Sequence, residues 1–157
     1  VKRVLICRLA ALGLISLLIV STAARPSSAS SATQAVNVVV DFDDGRSVVR
    51  RVSFEGETIT GLAALQATGL DVVTGFGGGA VCRIDATGCP SDNCFCNPSA
   101  FWTYWLRTTE GWGDPGVGAA QHQLHDGQTS GWHWGDFSSP PSLTDPQLAA
   151  HAALGWL

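Results

Sequence analysis

Val36, Val38 and Val40 alternate with Asn37, Val39 and Asp41, and Phe42 closes the run just before Asp43-Asp44-Gly45. Alternating β-branched residues ending at an Asp/Gly turn predict a strand entering a tight hairpin. Val48, Val49, Val52 and Phe54 predict the second, antiparallel strand. The period then changes. Ile59, Leu62, Ala63 and Leu65-Gln66 approximate a helical stripe over 59–67, with Thr58 as its expected N-cap and Gly69 as its C-terminal stop.

Strands are expected again at 70–74, 80–85 and 101–107, then at 121–125 and 129–134. Gly75 to Gly79 reads as a flexible connection, and Asp126-Gly127 as a turn. In the strand over 101–107, alternation places Phe101, Thr103 and Trp105 on one face, with Trp102, Tyr104 and Leu106 on the other. Both faces carry aromatics, so both need cover. A hairpin, one helix and several strands give an α+β domain over 36–137, with the helix packed on a mixed or antiparallel sheet. A β-grasp arrangement is the most economical version. Residues 138–157 form a tail opened by Pro140-Pro141. A short amphipathic helix from Asp145 that docks back, or a frayed end, are its two readings.

The first 32 residues have another character. Lys2, Arg3 and Arg8 flank an apolar run from Leu9 to Val20, and small residues follow to Ala32. That order is expected of a secretory signal peptide, with Ala23, Ala29 or Ala32 each suiting cleavage; an uncleaved anchor is the alternative. Cys7 precedes the apolar run, which is not the position of a lipid-attachment cysteine. Beyond the leader, Arg46, Arg50, Arg51, Arg83 and Arg107 face thirteen acidic residues, a formal charge of −8. Such a surface repels phosphate backbones and anionic lipid, so nucleic acid is not an expected partner. No lysine follows Lys2, which removes Schiff-base and P-loop chemistry.

Cys82, Cys89, Cys94 and Cys96 lie within fifteen residues. In an exported chain they predict two disulfides stapling one loop. One intervening residue disfavours a Cys94–Cys96 bridge, which leaves Cys82–Cys94 with Cys89–Cys96, or Cys82–Cys96 with Cys89–Cys94. A four-cysteine zinc site is the rival reading, but the paired C-x-x-C arms of such sites are missing.

Four features occur in order: the valine-rich hairpin with a helix opening at Glu57-Thr58, a run ending in Arg83-Ile84-Asp85, the strand Phe101-Trp-Thr-Tyr-Trp-Leu106, and the stretch Leu124 to Gly135 with its Asp126-Gly127 turn and Gly-Trp-His-Trp-Gly end. Together they resemble the transcobalamin C-terminal-like β-grasp domains of exported bacterial proteins, over roughly residues 36–137. The resemblance implies a β-grasp fold and a non-enzymatic role in binding a small molecule, a corrinoid such as cobalamin foremost, in support of nutrient uptake. The chain departs from that family in its four-cysteine insertion, and its 157 residues hold no second, helical domain of the carrier kind.

The candidate ligand-binding residues are Trp102, Tyr104, Trp105, Trp112, Trp132, His133 and Trp134. Stacked aromatics suit flat, partly apolar ligands or saccharides. Trp132 and Trp134 share a face by parity, and His133 points the other way. Trp112, in a Gly-rich loop, is expected to be the tryptophan least involved in the core. His133 reads as an axial ligand to a corrinoid cobalt, as a hydrogen-bond donor, or as a plain surface histidine. His122 and His125, three apart in an expected strand, would face opposite ways and share no metal. Ser91, Ser99 and Ser130 lack a Gly-x-Ser-x-Gly elbow, and the scattered aspartates sit at turns, so catalysis is not expected.

The leading expectation is therefore a secreted or cell-surface domain that binds a small molecule. The alternative is an extracytoplasmic interaction or structural module attached to a membrane transport component or surface complex. In that version the stapled loop and the tail are contact surfaces, and the tail is removable without harm to the fold.

Overall fold

The computed structural model describes residues 33–153. The expected signal peptide, Cys7 and the last four residues of the tail lie outside the described residues. Strand β1 (Gln34–Asp41) pairs antiparallel with β2 (Ser47–Phe54) from Gln34 opposite Phe54 to Asp41 opposite Ser47. The turn between them uses positive φ at Asp43 (60°) and Gly45 (83°), and Phe42 N–H donates to Arg46 O at 3.1 Å. Asp and Gly tolerate that left-handed geometry, which is why this sequence turns here.

The chain then runs through β3 (Ile59–Thr60), α1 (Gly61–Gln66), β4 (Val72–Gly75), a 3-10 turn (Phe76–Gly78), β5 (Ala80–Ile84) and β6 (Thr87–Gly88). It continues with β7 (Phe101–Thr108), β8 (Gly111–Gly113), β9 (Gln123–Leu124), β10 (Thr129–Gly135) and α2 (Asp145–Ala153). The main sheet has five strands in the order β2-β1-β10-β7-β8. Its first and last long strands, β1 and β10, lie side by side and parallel, and the other neighbours are antiparallel. Two small sheets, β3-β9 and β4-β5-β6, flank it. The domain is α+β, mostly sheet, with mixed pairing.

The helix begins later than its sequence signal. Its cap is Thr60, whose Oγ1 accepts from Ala63 N–H at 3.1 Å, rather than Thr58. Ile59 and Thr60 are held extended by pairing with Leu124 and Gln123, and the Thr58 hydroxyl donates to Gln123 Oε1 at 2.9 Å. Long-range strand pairing thus takes residues that local propensity assigned to the helix. Gly61 is required at the first turn, because a Cβ there would collide with the Tyr104 hydroxyl.

One face of the sheet carries the main core. Val36, Val38, Val40 and Phe42 meet Trp102, Tyr104 and Trp132 from the sheet, and Ala64 and Leu65 from α1 close over them. Full burial of a side chain such as Leu65 stabilises the fold by about 1.5–3 kcal/mol. The opposite face has its own cover. Val39 and Val49 pack with Leu143 of the tail, and Trp112 and Leu148 lie against them. Trp112 therefore belongs to a core, contrary to the expectation from its glycine-rich surroundings. Gly131 of β10 makes this possible, since a Cβ there would come within 2.7 Å of the Trp112 ring and 2.8 Å of Pro141.

The tail is a strap. Ser142 donates to Asp41 Oδ2 through its backbone N–H (2.7 Å) and its hydroxyl (2.6 Å), and Trp112 Nε1–H donates to Leu143 O at 3.4 Å. Of its two readings, docking is the observed one, from Ser142 and Leu143 on to Leu148 of α2. Among the described residues, no helix is long and apolar enough to cross a membrane.

Candidate ligand groove and its aromatic rim

The cysteines settle the local scaffold. Cys82 of β5 bridges to Cys94, and Cys89 to Cys96, one of the two pairings that the spacing left open. Two bridges are what an oxidising, extracytoplasmic compartment permits. Backbone fit explains the glycines around them. A Cβ at Gly75 would lie 2.5 Å from Cys94 Sγ, and one at Gly88 would strike the carbonyl of Cys82. The Cys89 N–H donates to that same carbonyl at 2.7 Å.

Phe95 stands between two bridged cysteines and is held outward. Its ring lies 6.0 Å from Phe76, stacked, and 5.7 Å from Phe101, edge-on. Phe137 continues the row at 5.7 Å from Phe101, and Trp105 lies 6.2 Å beyond. Phe76, Phe95 and Phe137 are 68%, 54% and 59% exposed. Solvated phenylalanines in contact with one another form an apolar ridge of the kind that marks a binding surface.

Beside this ridge opens a groove of about 380 Å³. Its floor is the sheet face bearing Trp102, Tyr104 and Trp132. Leu62 of α1 and the backbone of Gly78 to Val81 form one wall, and the loop from Gly116 to Ala120 forms the other. Phe95, Phe101 and Phe137 stand at the edge, and Asp114 is the one charged side chain among the described lining residues. The far wall is tied to the helix start. Gly61 and Leu62 N–H donate to His122 O and Ala119 O, each at 3.0 Å, so two orphan amides of α1 are satisfied by the loop they position.

The floor is rigid. Tyr104 and Trp132 lie 5.0 Å apart and Trp102 and Trp134 5.6 Å apart, directly across the β7–β10 pairing. The Tyr104 hydroxyl and His122 Nδ1 share a hydrogen bond at 2.9 Å. Burial pushes the Tyr104 pKa up, while burial and the neighbouring His125 push that of His122 down. Both shifts favour the neutral forms, an un-ionised phenol and an uncharged imidazole, across this hydrogen bond. His122 itself precedes β9 instead of lying within a longer strand.

The seven sequence-predicted candidates divide between the two faces. Trp102, Tyr104 and Trp132 line the groove, and Trp134 packs behind Trp102 on the same face. Trp105, Trp112 and His133 do not line it. Trp105 Nε1–H donates to Thr103 Oγ1 at 2.8 Å, within β7. His133 is 5% exposed, which removes the surface-histidine reading, and its Nδ1 lies 3.9 Å from Asp41 Oδ2. The carboxylate holds the strap through Ser142, and the Ser142 hydroxyl is spent on that carboxylate rather than on an imidazole base. Leu62, Phe76, Phe95, Asp114 and Phe137 were not singled out from the sequence. Only Phe95, framed by cysteines, carried a local signal.

Among the described residues, no group of three or more His, Cys, Asp or Glu side chains is placed to hold a metal ion. Comparison with protein-family models, with curated proteins and with solved structures finds no match to this chain. The geometry of the groove carries the functional reading.

Proposed function

We propose that this chain is an exported, non-enzymatic ligand-binding domain of β-grasp type, whose groove holds the flat apolar part of a small molecule in support of nutrient uptake. The observation that carries the reading is the groove itself: three sequence-predicted aromatics on its floor and phenylalanines along its edge, held by two disulfides. Its volume falls in the range of small-molecule sites, and its mostly apolar lining with few polar groups matches their usual makeup. The β-grasp reading is supported by the helix that follows the first hairpin and by the parallel β1–β10 pair at the middle of the sheet.

A corrinoid remains the leading ligand by family resemblance. A groove of this size would cover one edge of so large a ring system, and the row of exposed phenylalanines extends the apolar contact beyond it. His133 lies on the other face from the groove floor, so cobalt ligation by His133 forms no part of this reading. Nuclear magnetic resonance of the oxidised protein with cobinamide tests it. Shifts concentrated at Trp102, Tyr104, Trp132 and Phe95 are the expected result, and shifts confined to the strap face would overturn it.

The exposed phenylalanine ridge favours one second reading, an interaction module for a transport component or surface complex. In that case Phe76→Ser, on a ridge residue outside the groove lining, would weaken capture of the partner far more than it weakens small-molecule binding in the groove.

A further inference from the structure

The groove floor offers an occupant ring carbon and little else. Trp102 Nε1–H is spent on Thr87 O at 3.1 Å, and the Tyr104 hydroxyl is engaged with His122 Nδ1 at 2.9 Å. Trp132 Nε1 is shut off from solvent. The polar atoms of the floor aromatics are thus committed or enclosed, and aromatic carbon is what remains. Phe95, Phe101 and Phe137 add ring surface at the edge, and Phe95 and Phe137 are more than half exposed.

The single charged side chain among the described lining residues is a carboxylate. Asp114 reaches the groove from the loop after β8, and its Oδ1 accepts from Gly116 N–H at 2.8 Å. None of the five arginines beyond residue 32 lines the groove with it. Arg46 pairs with Asp44 and Asp85, and Arg83 with Asp71. Arg107 lies over Trp112, and Arg50 and Arg51 belong to β2, at the opposite edge of the main sheet from β8. Thirteen acidic residues against those five arginines add a long-range field of the same sign as Asp114. Aromatic faces carry the negative part of the ring quadrupole, so aromatic surface with a carboxylate beside it suits an organic cation.

We infer that the groove selects a cation: a flat apolar molecule bearing an ammonium group, quaternary or protonated, with its body on the aromatic floor and its charge beside Asp114. The inference rests on the groove being a ligand site and names the charge and class of what that site takes. An anion of the same shape meets Asp114 and finds no counter-charge. A neutral molecule keeps the apolar contact and forgoes the electrostatic one.

Three probes of similar size test this on the full-length oxidised protein: phenyltrimethylammonium, tert-butylbenzene and benzenesulfonate. The first two are isosteres that differ by one positive charge, and the third carries a negative one. Amide nitrogen–proton spectra during titration read affinity and, at Gly116 to Ala120, location. Phenyltrimethylammonium is expected to bind about three- to tenfold more tightly than tert-butylbenzene, and benzenesulfonate most weakly. Asp114→Asn keeps an oxygen able to accept from Gly116 N–H and removes the charge. It should weaken the cation about threefold and leave tert-butylbenzene unchanged. Glu57→Gln removes the same charge at an exposed position outside the groove lining and should leave the cation's affinity unaltered. Either of the other probes binding as tightly as the cation overturns the inference while the groove stands as an apolar site. So does a cation preference that Asp114→Asn leaves unchanged, or that Glu57→Gln reduces as much. Failure of all three probes to bind at the groove loop removes the groove as a small-molecule site, and the proposed function with it.

Discussion

Phe95 meets Phe101 edge-on at 5.7 Å, which fastens the cross-linked loop to the first residue of the aromatic strand β7. Neither residue is covered by the core. Their contact places an exposed ring at the mouth of the groove, and the flanking bridges at Cys94 and Cys96 limit how far that ring can stray. Opening the second bridge alone, as Cys89→Ser with Cys96→Ser, is expected to weaken groove binding roughly three- to tenfold, the worth of a lost aromatic contact. Near-ultraviolet circular dichroism of the folded variant checks that the remainder is intact. Removing the Cys82–Cys94 bridge should instead cost about 2–3 kcal/mol of stability, measured by denaturant unfolding.

The rim and the floor should separate cleanly by substitution. Phe95→Ala touches an exposed side chain and is expected to change stability by no more than about 0.5 kcal/mol while reducing ligand affinity. Trp102→Ala empties a buried site packed on Phe42 and Trp134, and should cost about 3–5 kcal/mol. Thermal unfolding of both variants next to a binding titration distinguishes the two roles.

The strap is a structural part of the sheet's second face. Ending the chain before Pro140 would uncover Val39, Val49 and Trp112, so the truncated protein should unfold at lower denaturant concentration and expose Trp112 to quenchers. Gly131→Ala tests the same packing with one atom. The added Cβ meets Trp112 and Pro141, and a cost of about 1–3 kcal/mol is expected.

Acid should loosen the molecule in two steps. Burial works to raise the Asp41 pKa, but the hydrogen bonds from Ser142 and Asp43 outweigh it, and the carboxyl ends below its usual value. His122 is likewise held below its usual value, by burial and by His125. In both cases the unfolded chain binds more protons, so stability falls as pH falls. The His122 contribution is complete above about pH 6.5 and declines below it, and the Asp41 contribution is lost below about pH 4. Denaturant midpoints measured across that range should show both declines. Asp41→Asn should remove the lower one, and His122→Gln the upper one.

Much of the framework was legible in local pattern. The hairpin follows from β-branched alternation ending in a turn, and strand parity couples Trp102 with Tyr104 and Trp132 with Trp134, whereas only the β7–β10 register puts the two pairs on one face. The departures all arise where distant segments meet. Thr58 lost the cap because β9, more than sixty residues away, claims Ile59 and Thr60. Trp112 looked solvated because nothing near it in sequence announces Gly131 or Leu143. The groove edge escaped notice for the same reason. Leu62, Phe95, Asp114 and Phe137 come from a helix, a stapled loop and two turns, and no local period links them.

The groove as a corrinoid-type ligand site is tested most directly by titrating the oxidised protein with cobinamide and with cobalamin, following tryptophan fluorescence and corrin absorption together. Ligand seated on Trp102 and Trp132 should give saturable quenching with a shift in the corrin bands, and Phe95→Ala should weaken it without altering the melting temperature. Unchanged fluorescence in a folded sample, or quenching indifferent to Phe95→Ala, would contradict binding of corrinoids in this groove.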